Sequence, residues 1–332
     1  MPRRANFSRT GNPQDVIEVV DDTLAPPAPN EVTIEIEAAP VHIADLKFMS
    51  GELPFYRDLP ATPGMEGIGL IYAAGRDVTN FNVGDRVFLP VRGGGHGAWR
   101  QFVNLDETVP IAAPAGDAAQ LSLMPINGIT AYAMLNGVLP LRAGDTIIQN
   151  AANSNCGRYL IALAKRSGVN VINVVRREEV IPDLEALGAT HVLIDHDNLA
   201  DEVREIMQGS PIKMGIDAVA GQATQRIADC VADGATILSY GMLSGEPCMV
   251  RPETLFFRNL TLKGFLTFTI SDQFNEQQTE DMWSVLPQLV SSGEIETKIA
   301  ATYTLDQVRD ALAHAGRTGA ERDGKVIIYP NG

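Results

Sequence analysis

The sequence predicts an α/β protein in which a doubly wound parallel sheet is joined to a smaller, β-rich domain. Three observations predict it. Between Thr146 and Tyr240, strand-like runs alternate with helix-like runs, the pattern of a parallel sheet covered by helices on both faces. Before that, short runs of period-two alternation are separated by Gly, Pro, Asp and Asn, which marks half-buried strands and turns. At the far end, Lys325-Val-Ile-Ile-Tyr329 follows a helical stretch. A strand there can return to the first domain and make it discontinuous. The expected division is 1–122 with 297–332 for the β-rich domain and 123–296 for the parallel sheet.

The elements follow in order. Val32–Glu37, Gly67–Tyr72 and Arg86–Pro90 read as strands, and Leu121–Leu135 has helical apolar spacing. The parallel sheet is expected from Thr146–Gln149, Val169–Val175, His191–Asp195, Gly215–Val219 and Ala235–Tyr240. Helices are expected over 157–167, 178–187, 199–207 and 223–231. Right-handed crossovers between these strands give the double winding. Helical spacing returns at 275–292 and 305–315.

The chain has 332 residues and a formal net charge of −15. Such a field repels a phosphate backbone, so nucleic acid is not an expected partner. Cys156, Cys230 and Cys248 are widely spaced, which argues against a disulfide framework or a zinc lobe. A reducing, cytoplasmic location is expected. Met1–Thr10 lacks the apolar core of a signal peptide, and no apolar run reaches membrane-spanning length.

The chemistry begins at the turn after Gln149, Asn150-Ala-Ala-Asn-Ser-Asn-Cys-Gly157. A dinucleotide site wants small residues there, so that the pyrophosphate can approach the N–H groups of the following helix. Asn153, Ser154, Asn155, Cys156 and Gly157 are the candidates. Asn155 stands where a glycine is usual, and asparagine tolerates positive φ better than most residues. About 20 residues on, Val175 is followed by Arg176 and Arg177. NAD sites usually place a carboxylate there; guanidinium groups instead suit a 2′-phosphate. NADPH is the expected cofactor. The plainer alternative is two solvated arginines at a helix start, where the helix dipole disfavours them.

The turn with Ile172-Asn-Val-Val-Arg176 resembles the 2-enoyl thioester reductases. These form a zinc-free branch of the medium-chain dehydrogenases/reductases, near the quinone reductases. Gly97-Ala-Trp-Arg100, Asn127-Gly-Ile-Thr-Ala-Tyr132, Ser239-Tyr-Gly-Met-Leu-Ser-Gly245 and Leu262-Lys-Gly-Phe265 agree with it. The resemblance implies a Rossmann domain and a GroES-like substrate domain. It implies that Tyr240, Gly241, Met242 and Leu243, with Phe265 and Leu266, line the nicotinamide side. It also implies that Lys325 reaches the cofactor, that Asn127 lies near the nicotinamide, and that the protein is a homodimer. Its edge strand near Leu260–Phe265 is a candidate junction, because an unpaired edge invites pairing.

Two departures bear on the chemistry. The family's catalytic tyrosine lies shortly after a strand and turn, which Ala44-Asp45 to Ser50-Gly51 resemble; it falls at Leu53 in an ungapped alignment, three residues before Tyr56, and His42 replaces the usual asparagine. Zinc members carry a Cys near Asp45 and a His before Glu66; here those places read His42 and Met65, with the cationic Lys47 near another ligand position. No metal is expected. Without a metal, hydrogen-bond donors must stabilise an enolate oxygen and an acid must protonate the α-carbon. Tyr56, His42 and Asn127 are the candidates. Loop packing, a satisfied core histidine and a helix cap are their respective structural alternatives. Trp99 reads as a cavity wall and His96 as a loop residue. The leading expectation is an NADPH-dependent reductase of enoyl thioesters or α,β-unsaturated carbonyls. The alternatives are an NADPH:quinone reductase, which leans less on a dedicated acid, and a non-catalytic NADPH-binding protein.

Overall fold

The structure is a computed structural model that describes residues 1–53, 58–90, 97–317, 321 and 324–332. The chain divides into two compact units, Met1–Ile126 with Val290–Gly332, and Asn127–Leu289.

The first unit starts with strand β1 (Arg3–Phe7), helix α1 (Pro13–Val16), β2 (Ile17–Asp21), β3 (Glu31–Val41) and α2 (Ile43–Ser50). It continues with β4 (Glu66–Ala74), β5 (Arg86–Pro90), β6 (Phe102–Asp106), β7 (Ile111–Ala112) and α3 (Ala118–Ser122). Helix α4 (Met124–Asn136) leads into the second unit. There β8 (Thr146–Asn150), α5 (Asn155–Ser167), β9 (Asn170–Val175), α6 (Ile181–Leu187), β10 (His191–Ile194) and α7 (Leu199–Met207) follow. Next come β11 (Ile212–Asp217), α8 (Gln222–Cys230), β12 (Thr236–Ser239), α9 (Pro252–Phe257), β13 (Thr261–Gly264), α10 (Thr267–Ser271) and α11 (Glu276–Ser291). The chain then returns to the first unit as β14 (Ile299–Thr304), α12 (Val308–Ala315) and β15 (Lys325–Tyr329).

In the first unit, the main sheet runs β14-β15-β3-β4-β5-β7, with β6 also on β3. The long β3 is its axis: β15 pairs antiparallel with its Val41 end, while β4 and β6 flank its earlier residues. Val32, Ile34 and Ile36 alternate into the core and are fully buried, which is why this segment is a strand. Trp99, also fully buried, donates its indole N–H to Pro40 O at 3.1 Å. An indole with one polar atom is buried without penalty only when that atom finds a partner.

The second unit is the doubly wound sheet, β10-β9-β8-β11-β12-β13, parallel throughout. Ile147, Ile148, Ile172 and Ile237 are fully buried, as strands covered on both faces require. The strand order reverses at β8, with β9 on one side and β11 on the other. In such sheets ligands bind beyond the strands' carboxyl ends at the reversal.

Four expectations need correction. Residues 44–51 are not a strand and turn but the helix α2, closed by Gly51 at φ 85°, a left-handed C-cap that glycine adopts without strain. The helical stretch at 121–135 is broken into α3 and α4 around Leu123. Helix α5 starts at Asn155, because the Ser154 side chain accepts from Gly157 N. Strand β11 stops at Asp217 instead of running on through Val219, because Asp217 Oδ1 draws Val219 N and Ala220 N into a turn.

Replacing Trp99 with Phe removes the bond to Pro40 and part of the indole's volume. The expected loss is about 1–3 kcal/mol of unfolding free energy, measured by urea denaturation.

Candidate active site

At the strand reversal, β8 ends in Asn150, which is 3% exposed. The chain turns through Ala151, in the left-handed region at φ 48°, and enters α5 behind Ser154. The strained residue of this turn is therefore Ala151. Asn155, expected to take a positive φ, is instead the first residue of the helix and is buried. Gly157 follows of necessity: a Cβ there would lie 2.5 Å from Ala152 O. The turn can therefore approach a phosphate closely, and the N–H groups of the thirteen-residue α5 provide the anion-binding end. These features fit a dinucleotide's pyrophosphate. Asn153 is exposed and Ser154 half-buried, whereas Cys156 lies 7% exposed beneath them.

Beside this turn, Asn150 pairs with Val174 of β9. Arg176 and Arg177 come directly after β9, both exposed. Arg177 meets Glu179 at 3.1 Å. An exposed pair of this kind is worth about 0–1 kcal/mol, so a phosphate can displace it at small cost.

Tyr240 follows β12. Its phenol interacts electrostatically with the side chains of Cys156 and Ser154. Burial, reinforced by the Cys156 thiol, pushes its pKa well above the ordinary range, so it remains a neutral hydrogen-bonding group. The residue expected on the nicotinamide side is thus influenced by the turn after β8. Gly241 is half-buried, and Met242 and Leu243 are exposed. Phe265 is buried after β13, with its N–H on Ser239 O at 2.8 Å, and Leu266 is exposed beside it. Asn127, 8% exposed, sits in the first half of α4. One turn further on, Thr130 shares a 2.6 Å hydroxyl bond with Thr267 of α10.

The first unit holds a different polar cluster. His42 and Glu66 are buried, and His42 Nε2 lies 2.6 Å from Glu66 Oε1. The other carboxylate oxygen accepts Ile126 N at 2.6 Å, in the first turn of α4. Asp45 accepts His42 N at 2.8 Å and Gly64 N at 3.3 Å. Carboxylate on one ring nitrogen fixes the imidazole's tautomer and orientation. Lys47 pairs with Glu52 at 2.8 Å, and Lys325 occupies the first position of β15. Tyr56 and His96 lie outside the described residues. Among the described residues, no group of three or more His, Cys, Asp or Glu side chains is arranged to hold a metal.

Sequence reasoning passed over Asn150, Asp217, Glu66 and Thr130 as site residues. For Asn150 and Asp217 the signal was faint: a polar residue closing a largely apolar strand, as in Ile147-Ile-Gln-Asn150 and Met214-Gly-Ile-Asp217.

A parallel sheet with a phosphate turn at its reversal, attached to a β-rich unit of this topology, defines a dinucleotide-dependent oxidoreductase of the dehydrogenase type. Residues 28–115 match the alcohol dehydrogenase GroES-like domain, and residues 156–284 match the zinc-binding dehydrogenase domain. The mitochondrial enoyl-[acyl-carrier-protein] reductase of Xenopus tropicalis is 34% identical over 268 residues, covering 78% of this chain and 75% of that protein. The human protein of the same name is 28% identical over 312 residues, covering 92% and 83%. A quinone oxidoreductase structure from Pseudomonas syringae pv. tomato aligns with a TM-score of 0.84 at 26% identity, over 99% of this chain and all of that one. The chain belongs to the medium-chain dehydrogenase/reductase family, and within it to the zinc-free enoyl and quinone reductase type.

The thiols differ sharply in setting. Burial pushes Cys230 up to about 12, Cys156 is buried, and Cys248 is exposed. At pH 8 the native protein is expected to give one fast-reacting thiol in a dithionitrobenzoate titration, lost in Cys248→Ser, with the other two reacting only on denaturation.

Proposed function

We propose that this protein is a zinc-independent, NADPH-dependent reductase that delivers hydride to an activated double bond, in an enoyl thioester or another α,β-unsaturated carbonyl compound. One observation carries the cofactor assignment: the Ser154-capped phosphate turn lies beside a strand that ends in two exposed arginines. Relatives named for enoyl-thioester reduction support the substrate class.

The bound nicotinamide supplies the hydride. The chain's residues do the rest. The turn from Asn153 to Gly157 holds the pyrophosphate, and Arg176 and Arg177 fork onto the 2′-phosphate. Tyr240 to Leu243, with Phe265 and Leu266, border the nicotinamide. Hydride addition to the β-carbon leaves an enolate, whose oxygen needs hydrogen-bond donors and whose α-carbon needs a proton. Asn127, His42 and Tyr56 are the candidate groups. Glu66 holds His42 in one orientation, which suits a group that must present its second nitrogen consistently.

A second reading, quinone reduction, is favoured by Leu53 at the position of the family's tyrosine and by the quinone oxidoreductase structure above. Rates with crotonyl thioester against a small quinone separate the two. Turnover of neither, with NADPH still bound, would point to a binding protein.

We also propose a homodimer. The edge strand β13 is exposed along its length, and Phe256 and Phe257 are 62% and 80% exposed next to it in sequence. No helix among the described residues is long and apolar enough to cross a membrane. We place the protein in the cytoplasm from its widely spaced cysteines; fractionation tests this against the mitochondrial location that its relatives' names carry.

With the preferred substrate, NADPH is expected to outperform NADH strongly. Changing both Arg176 and Arg177 to Ala should raise KM for NADPH by about 100-fold or more, since charge-assisted bonds contribute about 1.5–3 kcal/mol each. KM for NADH should stay nearly constant; equal losses for both cofactors would refute the phosphate role. Phe257→Glu is expected to shift the dimer to monomer in sedimentation velocity, and a monomeric parent protein would remove the dimer.

A further inference from the structure

We propose that the buried Asn150–Asp217 pair is a positioning device that sets the spacing between the phosphate turn and the loops on the nicotinamide side. The proposal rests on the NADPH reading above.

Strands β8 and β11 are neighbours at the reversal of strand order. A dinucleotide across that reversal touches loops that leave both strands. The sheet's ladder stops at the strand ends, so something else must hold these loops in register. Asn150 and Asp217 are the last residues of the two strands. Asn150 Nδ2 donates to Asp217 Oδ1 at 2.6 Å, and Asn150 Oδ1 accepts Ala218 N at 2.8 Å. The same Asp217 oxygen accepts Val219 N at 2.9 Å and Ala220 N at 3.0 Å, while Oδ2 accepts the Thr224 hydroxyl at 2.5 Å. Asp217 and Thr224 are fully buried.

The third loop hangs on the same residues. Tyr240 N donates to Asp217 O at 3.0 Å, Leu243 N to Ala218 O at 3.2 Å and Ser244 N to Val219 O at 2.9 Å. Gly241 lies so close that a Cβ would sit 2.4 Å from Ala218 O. A shift at Asp217 therefore moves 240–244, the segment assigned to the nicotinamide. Strain points the same way. Ala151 follows Asn150 at φ 48° and Ala220 lies three residues past Asp217 at φ 66°. Non-glycine residues stay in that region only where surrounding bonds over-determine them, which is common at ligand sites. At Ala220 the determining bond comes from Asp217, and Ala151 directly follows the anchored Asn150.

A pair that only held the core together would weaken every ligand alike. A spacing device weakens a ligand that spans the reversal and spares one that occupies a single side. The test uses isothermal titration of the full chain with NADPH and with 2′,5′-ADP, which carries the adenosine half alone. Asn150→Ala and Asp217→Ala are each expected to weaken NADPH by about ten-fold or more and 2′,5′-ADP by less than about two-fold. Asp217→Asn keeps the oxygen that faces Asn150 and the two backbone N–H groups, and its amide can donate to the Thr224 hydroxyl. It is expected to recover most of the affinity lost in Asp217→Ala. If the alanine variants do not fold, Thr224→Val carries the same comparison. Parallel loss of both ligands, undiminished NADPH binding, or no recovery with Asp217→Asn overturns the proposal while leaving the cofactor reading intact. A parent protein that binds neither ligand overturns both.

Discussion

A carboxylate removed from water must be met by donors from the protein, or it is not tolerated. Asp217 is such a carboxylate, at the point where the parallel sheet changes direction. Its oxygens gather Asn150, two backbone N–H groups and Thr224. That gathering ends β11, bends the chain into its turn and ties the end of β8 to it. The phosphate turn, its strained Ala151 and the segment after β12 all take their places from these bonds. The architecture is generic to doubly wound sheets, but the local shape of the cradle is the work of one desolvated charge.

The β-rich unit uses the same device with different partners. Glu66 is fully buried and divides its oxygens between the His42 imidazole and the start of α4. An α-helix begins with N–H groups that lack intrahelical acceptors, and here a carboxylate from β4 satisfies one of them. The helix start at Ile126 is thereby fixed. Asp45 acts similarly on His42 N and Gly64 N. In both units the polar residues nearest the candidate chemistry are held by acids that do not themselves reach solvent.

Much of this was legible in the sequence, for identifiable reasons. The parallel sheet announces itself because strands buried on both faces must be apolar throughout, so Val169–Val175 stands out against the amphipathic helices around it. The turn after β8 and the exposed arginines after β9 lie where the sequence places them, because a run of small and polar residues after an apolar strand marks a turn and paired charges mark a solvated strand end. The helix α2 was not legible, since Ala44–Ser50 lacks a clear apolar stripe and the resemblance implied a strand and turn there. The end of β11 was missed because Ala218-Val219 extends an apolar run, and the bonds that end the strand run from Val219 N and Ala220 N to the Asp217 side chain. The placement of Asn155 was missed because a short asparagine suits either a left-handed turn or a helix start. The sequence does not say that Ser154 three residues before Gly157 decides between them. Pairs such as His42 with Glu66 lie far apart along the chain and leave no local trace.

The exposed edge at β13 has an implication for solution behaviour. Each copy carries fifteen excess negative charges, so any union of two copies along that edge works against long-range repulsion. The repulsion extends about 30 Å at 0.01 M ionic strength and fades within about 10 Å at 0.1 M, whereas the apolar contribution of Phe256 and Phe257 is not screened. Added electrolyte thus favours any such union of two acidic copies, the reverse of what it does to complexes held by opposite charges.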